Sequence, residues 1–127
     1  MKRLPRSVDC PVELSVELLR GKWKPVILAR LKDQPLRYGD LRRLIPRLSD
    51  KVLTEALHRL LSHGLITRRA WAEAPPRVEY GLTGLGQSLA DGPMRALGSW
   101  ITEHGDELLD AQERAAQPLP ATAFGSD

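Results

Sequence analysis

Residues 36–54 read LRYGDLRRLIPRLSDKVLT, and this stretch decides the fold. Its first half predicts a short helix with three apolar side chains on one face: Leu41, Leu44 and Ile45. Pro46 should end that helix, because proline has no N–H to continue the hydrogen-bond pattern. Ser49 then stands where an N-cap is needed, since its hydroxyl can accept a hydrogen bond from an unpaired N–H of the next helix. Two helices joined by so short a turn predict a helix-turn-helix over residues 38–63.

The second helix of this motif, from about Ser49 to His63, is predicted to be amphipathic. One face repeats leucine or alanine at the i, i+3 and i+4 spacing and should pack inward: Leu53, Ala56, Leu57, Leu60 and Leu61. The opposite face carries a polar stripe over its first turns: Lys51, Thr54, Glu55 and His58. Side chains placed in this way can reach base edges, so the stripe predicts contact with DNA.

A wing is predicted directly after this helix, which Gly64 is suited to end. Two stretches with the composition of strands predict a hairpin over residues 65–82. Prolines at the turn cannot donate into the strand ladder, so the tip should be a loop that carries Arg77, with Arg68 and Arg69 on its flank. The predicted fold is mainly α with a small β-hairpin: a winged helix-turn-helix, in which a three-helix core and the wing bind DNA.

The charge is concentrated where this motif lies. The chain of 127 residues has a net charge of +3. Residues 20–79 hold 14 Lys and Arg against 6 Asp and Glu, which gives +8, whereas residues 101–127 hold 1 against 6, which gives −5. A basic patch confined to the helix-turn-helix and wing is expected of a surface that binds phosphates. A solvated charged surface is the alternative.

Several classes of protein are disfavoured. No apolar run approaches the ~18 residues that cross a membrane, and we expect no signal peptide, because the basic start of the chain has no apolar core behind it. The single cysteine excludes an internal disulfide framework, so we expect a protein of the reducing cytoplasm. The three histidines lack metal-ligand spacing, and neither a Gly-rich phosphate loop nor a nucleophile elbow is present. We therefore expect no enzyme, no metal and no cofactor.

Helices are also predicted on both sides of the motif. Two short ones should cover residues 11–19 and 23–31. A long one should begin after Thr83 as N-cap, kink at Gly92-Pro93 and end near residue 112. Because that last helix outlasts the small domain it can cover, part of its apolar stripe should face a second copy of the chain. Burial of the stripe within one subunit is the alternative.

The motifs together resemble the HxlR-type family of winged helix-turn-helix transcriptional regulators, which is related to MarR. The resemblance rests on CPV at 10–12, GKWK at 21–24, RYGDLRR at 37–43, SDKVLT at 49–54, GLI at 64–66 and PPRVEYGLT at 75–83. It implies a homodimer joined mainly through the first and last helices, with each recognition helix in a major groove and each wing on the flanking minor groove. The target would be a roughly palindromic operator with half-sites about one DNA turn, ~34 Å, apart.

The resemblance also implies roles for particular residues. The expected DNA contacts are Arg37, Arg42, Arg43, Ser49, Lys51, Thr54, His58 and Arg77. Lys51 is the strongest of these, and surface solubility is the alternative role for Arg42 and Arg43. The expected dimer interface consists of Leu14, Leu18, Leu89, Leu97, Trp100, Ile101 and Leu108.

The predicted domain organisation has three parts. Residues 1–9 form a flexible N-terminal arm, and residues 10–112 form the winged helix-turn-helix domain, with dimerisation helices at both ends and the C-terminal one over 83–112. Residues 113–127 form a disordered tail rich in small residues and proline.

Cys10 is the candidate regulatory residue. Several members of the family sense oxidants, quinones, aldehydes or other electrophiles through a cysteine at the matching position. Pro11 suits the first helical position, which leaves Cys10 at an N-cap where the helix dipole stabilises a thiolate, although Asp9 opposes this. An inert, partly buried thiol is the open alternative. Any disulfide must join two subunits or a small thiol, because the chain has a single cysteine.

The expected function is therefore that of a sequence-specific transcriptional regulator, by family habit a repressor. It would bind double-stranded operator DNA as a homodimer and respond to a small oxidant, electrophile or ligand, with Cys10 as the sensing residue. A winged helix that binds another protein and does not itself recognise a DNA sequence is the alternative.

Overall fold

The computed structural model describes residues 11–117. Cys10, the predicted arm over residues 1–9 and residues 118–127 of the predicted tail lie outside this range. The helices are α1 (Pro11–Leu18), α2 (Trp23–Leu31), α3 (Tyr38–Leu44), α4 (Asp50–Ser62), α5 (Gly84–Leu89) and α6 (Arg95–Ala116), and the strands are β1 (Leu36–Arg37), β2 (Ile66–Trp71) and β3 (Arg77–Leu82). The predicted helix-turn-helix and wing are both confirmed.

The wing contains one strand more than predicted. β2 and β3 form the expected antiparallel hairpin, with a register that runs from Ile66↔Leu82 to Trp71↔Arg77. β1 pairs with the other side of β3, Leu36 opposite Tyr80, so the sheet has three strands in the order β1-β3-β2. The prediction of a two-stranded hairpin was incomplete because a two-residue strand has no periodicity to detect.

The core lies where α2, α3, α4 and the start of β2 meet. Its largest fully buried side chains are all aliphatic: Ile27, Leu28, Leu41, Leu48, Leu53, Leu60 and Leu65. Leu44 was predicted to face inward, but it is 47% exposed. The chain leaves the helix just after this residue, so Ile45 and Leu48 turn into the core in its place. The inward face of α4 is buried as predicted, apart from a half-buried Leu61.

Local caps define both ends of α4. The Ser49 hydroxyl accepts a hydrogen bond from the Val52 N–H at 3.2 Å, as an N-cap does. At the other end Gly64 has φ +71°, a left-handed conformation that glycine adopts without steric cost. Thr83 then caps α5 by accepting from the Gly86 N–H, and its hydroxyl donates to the Gly64 carbonyl at 2.6 Å.

The predicted last helix is interrupted and longer than expected. A π-helical turn, Ala90–Met94, separates α5 from α6 and contains Pro93, which has no N–H for the regular α-helical pattern. The chain divides into two compact units at this turn, one ending at Gly92 and the other starting at Pro93. α6 ends at Ala116, past the predicted residue 112, because Ala, Gln, Glu and Arg continue a helix after the apolar stripe has stopped.

No helix within residues 11–117 is long and apolar enough to span a membrane.

Candidate nucleic-acid interface

The recognition helix α4 presents three predicted contact residues on its outer side. Lys51, Thr54 and His58 are exposed, whereas Leu53, Ala56, Leu57 and Leu60 on the other side are buried. Lys51 forms no ion pair with any carboxylate of residues 11–117, so its ammonium is available to a phosphate or a base. Ser49 is exposed too, with its side chain engaged as the N-cap.

A polar network fastens the start of α4 to α3. The Tyr38 hydroxyl donates to Asp50 Oδ1 at 2.8 Å, and the Arg42 Nε lies 3.0 Å from the same oxygen. Tyr38 also lies 3.5 Å from the Thr54 hydroxyl. Two donors on one carboxylate offset the charge of Asp50, which would otherwise repel DNA phosphates. Arg42 is therefore placed to orient the recognition helix, and its Nη1 is buried without a partner within the described residues.

Arg37, just before α3, and Arg43 within it both contact Asp40. The backbone N–H of Arg37 donates to Asp40 Oδ2 at 3.0 Å, which caps the first turn of α3. Arg43 forms an ion pair with Asp40 Oδ1, but its side chain remains 75% exposed. An exposed ion pair of this kind contributes little stability, so Arg43 can exchange Asp40 for a phosphate at small cost.

Arg77 is held inside the wing and does not extend from its tip. Its guanidinium lies 4.0 Å over the Trp71 ring, and its nitrogens lie 3.6 Å from Glu73 and 3.9 Å from Glu79. A cation stacked on an aromatic face and flanked by two carboxylates stabilises the hairpin. This cluster of Arg77, Trp71, Glu73 and Glu79 was missed at the sequence level, because only the strand register places Trp71 opposite Arg77.

The exposed cations of the wing are Arg68 and Arg69. As successive residues of β2, they point to opposite faces of the sheet. Arg69 shares a face with Trp71 and lies 5.2 Å over its ring, opposite Glu79 in the register. Only one of the two arginines can therefore face a given DNA groove.

The predicted dimer residues fall into two groups. Leu14, Leu18 and Leu89 are half-buried in the unit that ends at Gly92. In the other unit α6 exposes four of them, which recur on one side of the helix: Leu97, Trp100, Ile101 and Leu108. The exposed large apolar side chains of α1 are Val12 and Val16, which were not among the predicted interface residues.

A helix-turn-helix with an exposed polar stripe on its second helix, followed by a wing with exposed arginines, defines the winged helix-turn-helix class. No group of His, Cys, Asp and Glu able to hold a metal ion occurs in the part of the chain that the structure describes. Residues 18–108 match the family model described as an HxlR-like helix-turn-helix. This chain therefore belongs to the HxlR-like family.

Similar proteins support this assignment. An uncharacterized HTH-type transcriptional regulator of Methanothermobacter thermautotrophicus is 41% identical over 106 residues, which cover 84% of this chain and 80% of that protein. The solved structure of a putative HTH-type regulator, ytcD, has a TM-score of 0.73 at 38% identity and covers 77% of this chain and 99% of its own. The redox regulator HypR in its reduced form has a TM-score of 0.76 at 30% identity, with 80% and 99% coverage. The chain is thus a MarR-like transcriptional regulator of the helix-turn-helix type, and not an enzyme.

Proposed function

We propose that the protein binds a roughly palindromic operator as a homodimer and represses transcription there, in the cytoplasm. The observation that carries the proposal is the outer stripe of α4, where Lys51, Thr54 and His58 stand exposed on a helix whose opposite side is buried. In each subunit α4 would enter a major groove and the wing would lie over the flanking minor groove. Arg43 of α3 and one of the two exposed wing arginines, Arg68 or Arg69, would supply further cations for DNA phosphates.

Exposed apolar side chains on α6 support the homodimer. Leu97, Trp100 and Ile101 are 58%, 48% and 47% exposed, and Leu108 follows at the same helical spacing. Exposing an apolar stripe of this length to water is unfavourable, and a second copy related by a two-fold axis would cover it. Two recognition helices then bind half-sites about one DNA turn apart, which is why the operator should be palindromic.

The direct test is selection of bound sequences from random DNA. We expect enrichment of an inverted repeat that binds at least ~1,000-fold more tightly than bulk DNA. If the selected sequences bind no better than bulk DNA, the winged helix serves as a protein-interaction module and the operator proposal is wrong.

Lys51→Ala should weaken operator binding about tenfold or more. Removal of the cation at the N-terminal end of the contact stripe loses either a base contact or a phosphate contact. A base contact would relax specificity at one operator position, whereas a phosphate contact would reduce the salt dependence by about one counterion. Electrophoretic mobility shifts over a range of salt concentrations distinguish the two.

Arg114→Ala is the control, because it makes the same charge change at the acidic end of the chain. This variant should bind the operator as the wild type does. Equal losses of affinity in both variants would contradict a specific role for Lys51.

We further propose that oxidation of Cys10 weakens operator binding. Similarity to HypR, which is named a redox regulator, supports a thiol-based response. Treatment with a disulfide-forming oxidant such as diamide should lower the operator affinity of the wild type and leave Cys10→Ser unaffected, because that variant has no thiol. An equal response in the two proteins would identify Cys10 as an inert thiol.

A further inference from the structure

Lys24 is buried close to two other cations, Arg20 and Arg59. It is 6% exposed and is the one buried charged residue within residues 11–117. Its Nζ donates to the Glu17 carbonyl oxygen at 3.4 Å, at the C-terminal end of α1. An ammonium has three N–H donors, so this single long hydrogen bond leaves most of its donor capacity unused.

A cavity of about 460 Å³ opens beside Lys24. It is lined by Glu17, Arg20, Gly21, Lys24, Arg59 and His63. The one carboxylate of this lining already pairs with Arg20, 3.3 Å away. The charges of Lys24 and Arg59 therefore remain without an anionic partner in the cavity.

The surroundings of Lys24 disfavour its positive charge. Burial lowers the pKa of Lys24, and the nearby Arg59 and Arg20 lower that pKa further, while Glu17 acts in the opposite direction. Keeping these cations together costs folding free energy. An anion placed among them would offset that cost.

We propose that this cavity, bounded by α1, α2 and α4, binds a small organic anion whose carboxylate or phosphate group lies between Lys24 Nζ and the Arg59 guanidinium. The volume suits a small metabolite and exceeds that of a bare inorganic ion. The lining is polar and charged, so the ligand is a hydrophilic anion. Arg59 follows Lys51 by eight residues of α4, about 12 Å along the helix axis. Arg59 also directly follows His58, so the ligand would touch the recognition helix next to the predicted DNA contacts, through a residue that is not one of them.

The test measures thermal unfolding without DNA, so its result is independent of the proposed operator binding. Inorganic phosphate and citrate are added at pH 7 and compared with chloride at the same ionic strength. Phosphate and citrate also stabilise proteins generally, by exclusion from the surface, and this general effect should be the same in every variant. Specific binding, at an anion concentration ten times the dissociation constant, should raise the wild-type Tm by about 4 °C more than this general effect does.

Two variants remove the proposed anion contacts, and one serves as a control. Lys24→Met and Arg59→Gln should lose the specific increment in Tm for both anions. Arg30→Gln changes an exposed cation of α2 outside the cavity lining, so it should retain the increment. Equal increments in all four proteins would overturn the proposal.

Direct titration of Lys24 provides a second readout. The pKa of Lys24, followed through the ¹³Cε resonance of labelled lysine, should rise when phosphate is added, because a bound anion stabilises the ammonium. A pKa of Lys24 that does not change at phosphate concentrations that raise the Tm would also overturn the proposed site.

Phosphate and citrate differ in their charged groups. A larger specific rise in Tm for one of them therefore assigns the ligand to phosphates or to carboxylates.

Discussion

Ile101→Glu is expected to convert the protein to a monomer and to weaken operator binding at least ~100-fold. Ile101 is 47% exposed in the middle of the apolar stripe of α6, where the homodimer proposal places a subunit interface. Two-fold symmetry would bury two copies of the new carboxylate, and each buried charge costs several kcal/mol. A monomer holds a single recognition helix, so it loses the avidity gained when two half-sites are bound at once. Sedimentation and operator titration measure the two effects.

Ser99→Glu is the matched control for this prediction. Ser99 is exposed on α6 two residues before Ile101, about 200° around the helix from it. The substitution adds the same charge to the same helix on its polar side, so the variant should remain dimeric and bind the operator as the wild type does. A dimeric Ile101→Glu variant with wild-type affinity would place the subunit interface elsewhere.

Gly86→Ala should lower the Tm by about 10 °C or more. Gly86 is buried where α5 approaches Leu65, the residue before β2, and a Cβ there would overlap the Leu65 carbonyl oxygen and come within 3.3 Å of Leu82 Cδ2. The Leu65 carbonyl cannot easily move, because it accepts a hydrogen bond from the Thr83 N–H at 3.0 Å. Overpacking against fixed backbone costs about 3 kcal/mol, which for a domain of this size corresponds to a fall in Tm of that order.

Gly84→Ala separates this steric effect from a change in helix propensity. Gly84 lies two residues earlier in α5, and a Cβ added there meets nothing within 4 Å. Alanine favours a helix over glycine by about 1 kcal/mol, so this variant should be as stable as the wild type or more so. Thermal unfolding followed by circular dichroism checks both variants. A Gly86→Ala protein that unfolds within about 2 °C of the wild type would mean that α5 can move away from Leu65 without cost.

Much of the binding motif could be predicted because its determinants are local. The predicted bounds of α2 agree with the structure, the hairpin lies within the predicted residues 65–82, and the bounds of α4 differ by one residue at each end. Caps such as Ser49 and Gly64 act within three or four residues of the chain, and the amphipathic spacing of α4 requires only that one side be buried. Longer helices without strong end signals were less predictable, as the late end of α6 at Ala116 demonstrates.

The partners and the exposure of individual arginines could not be predicted from such local patterns. Arg42, Arg43 and Arg77 look equivalent in the sequence, yet Arg42 is fixed to Asp50, Arg43 is largely exposed and Arg77 is stacked on Trp71. The difference depends on which residues the fold brings near each guanidinium. Counts of charged residues identify a basic surface. Only the partners of each arginine in the folded chain distinguish side chains that are available to a ligand from side chains that hold other residues in place.

The sequence by itself determined the class of protein, the recognition helix with its caps and the hairpin of the wing, because periodicity and capping are interactions between near neighbours in the chain. The tertiary structure alone decided the pairing of Leu36 with Tyr80, the burial of Lys24 beside Arg59 and the close approach of Gly86 to Leu65. Each of these joins residues more than 20 positions apart in the chain. Such contacts follow from how the elements pack together, and no local pattern specifies them.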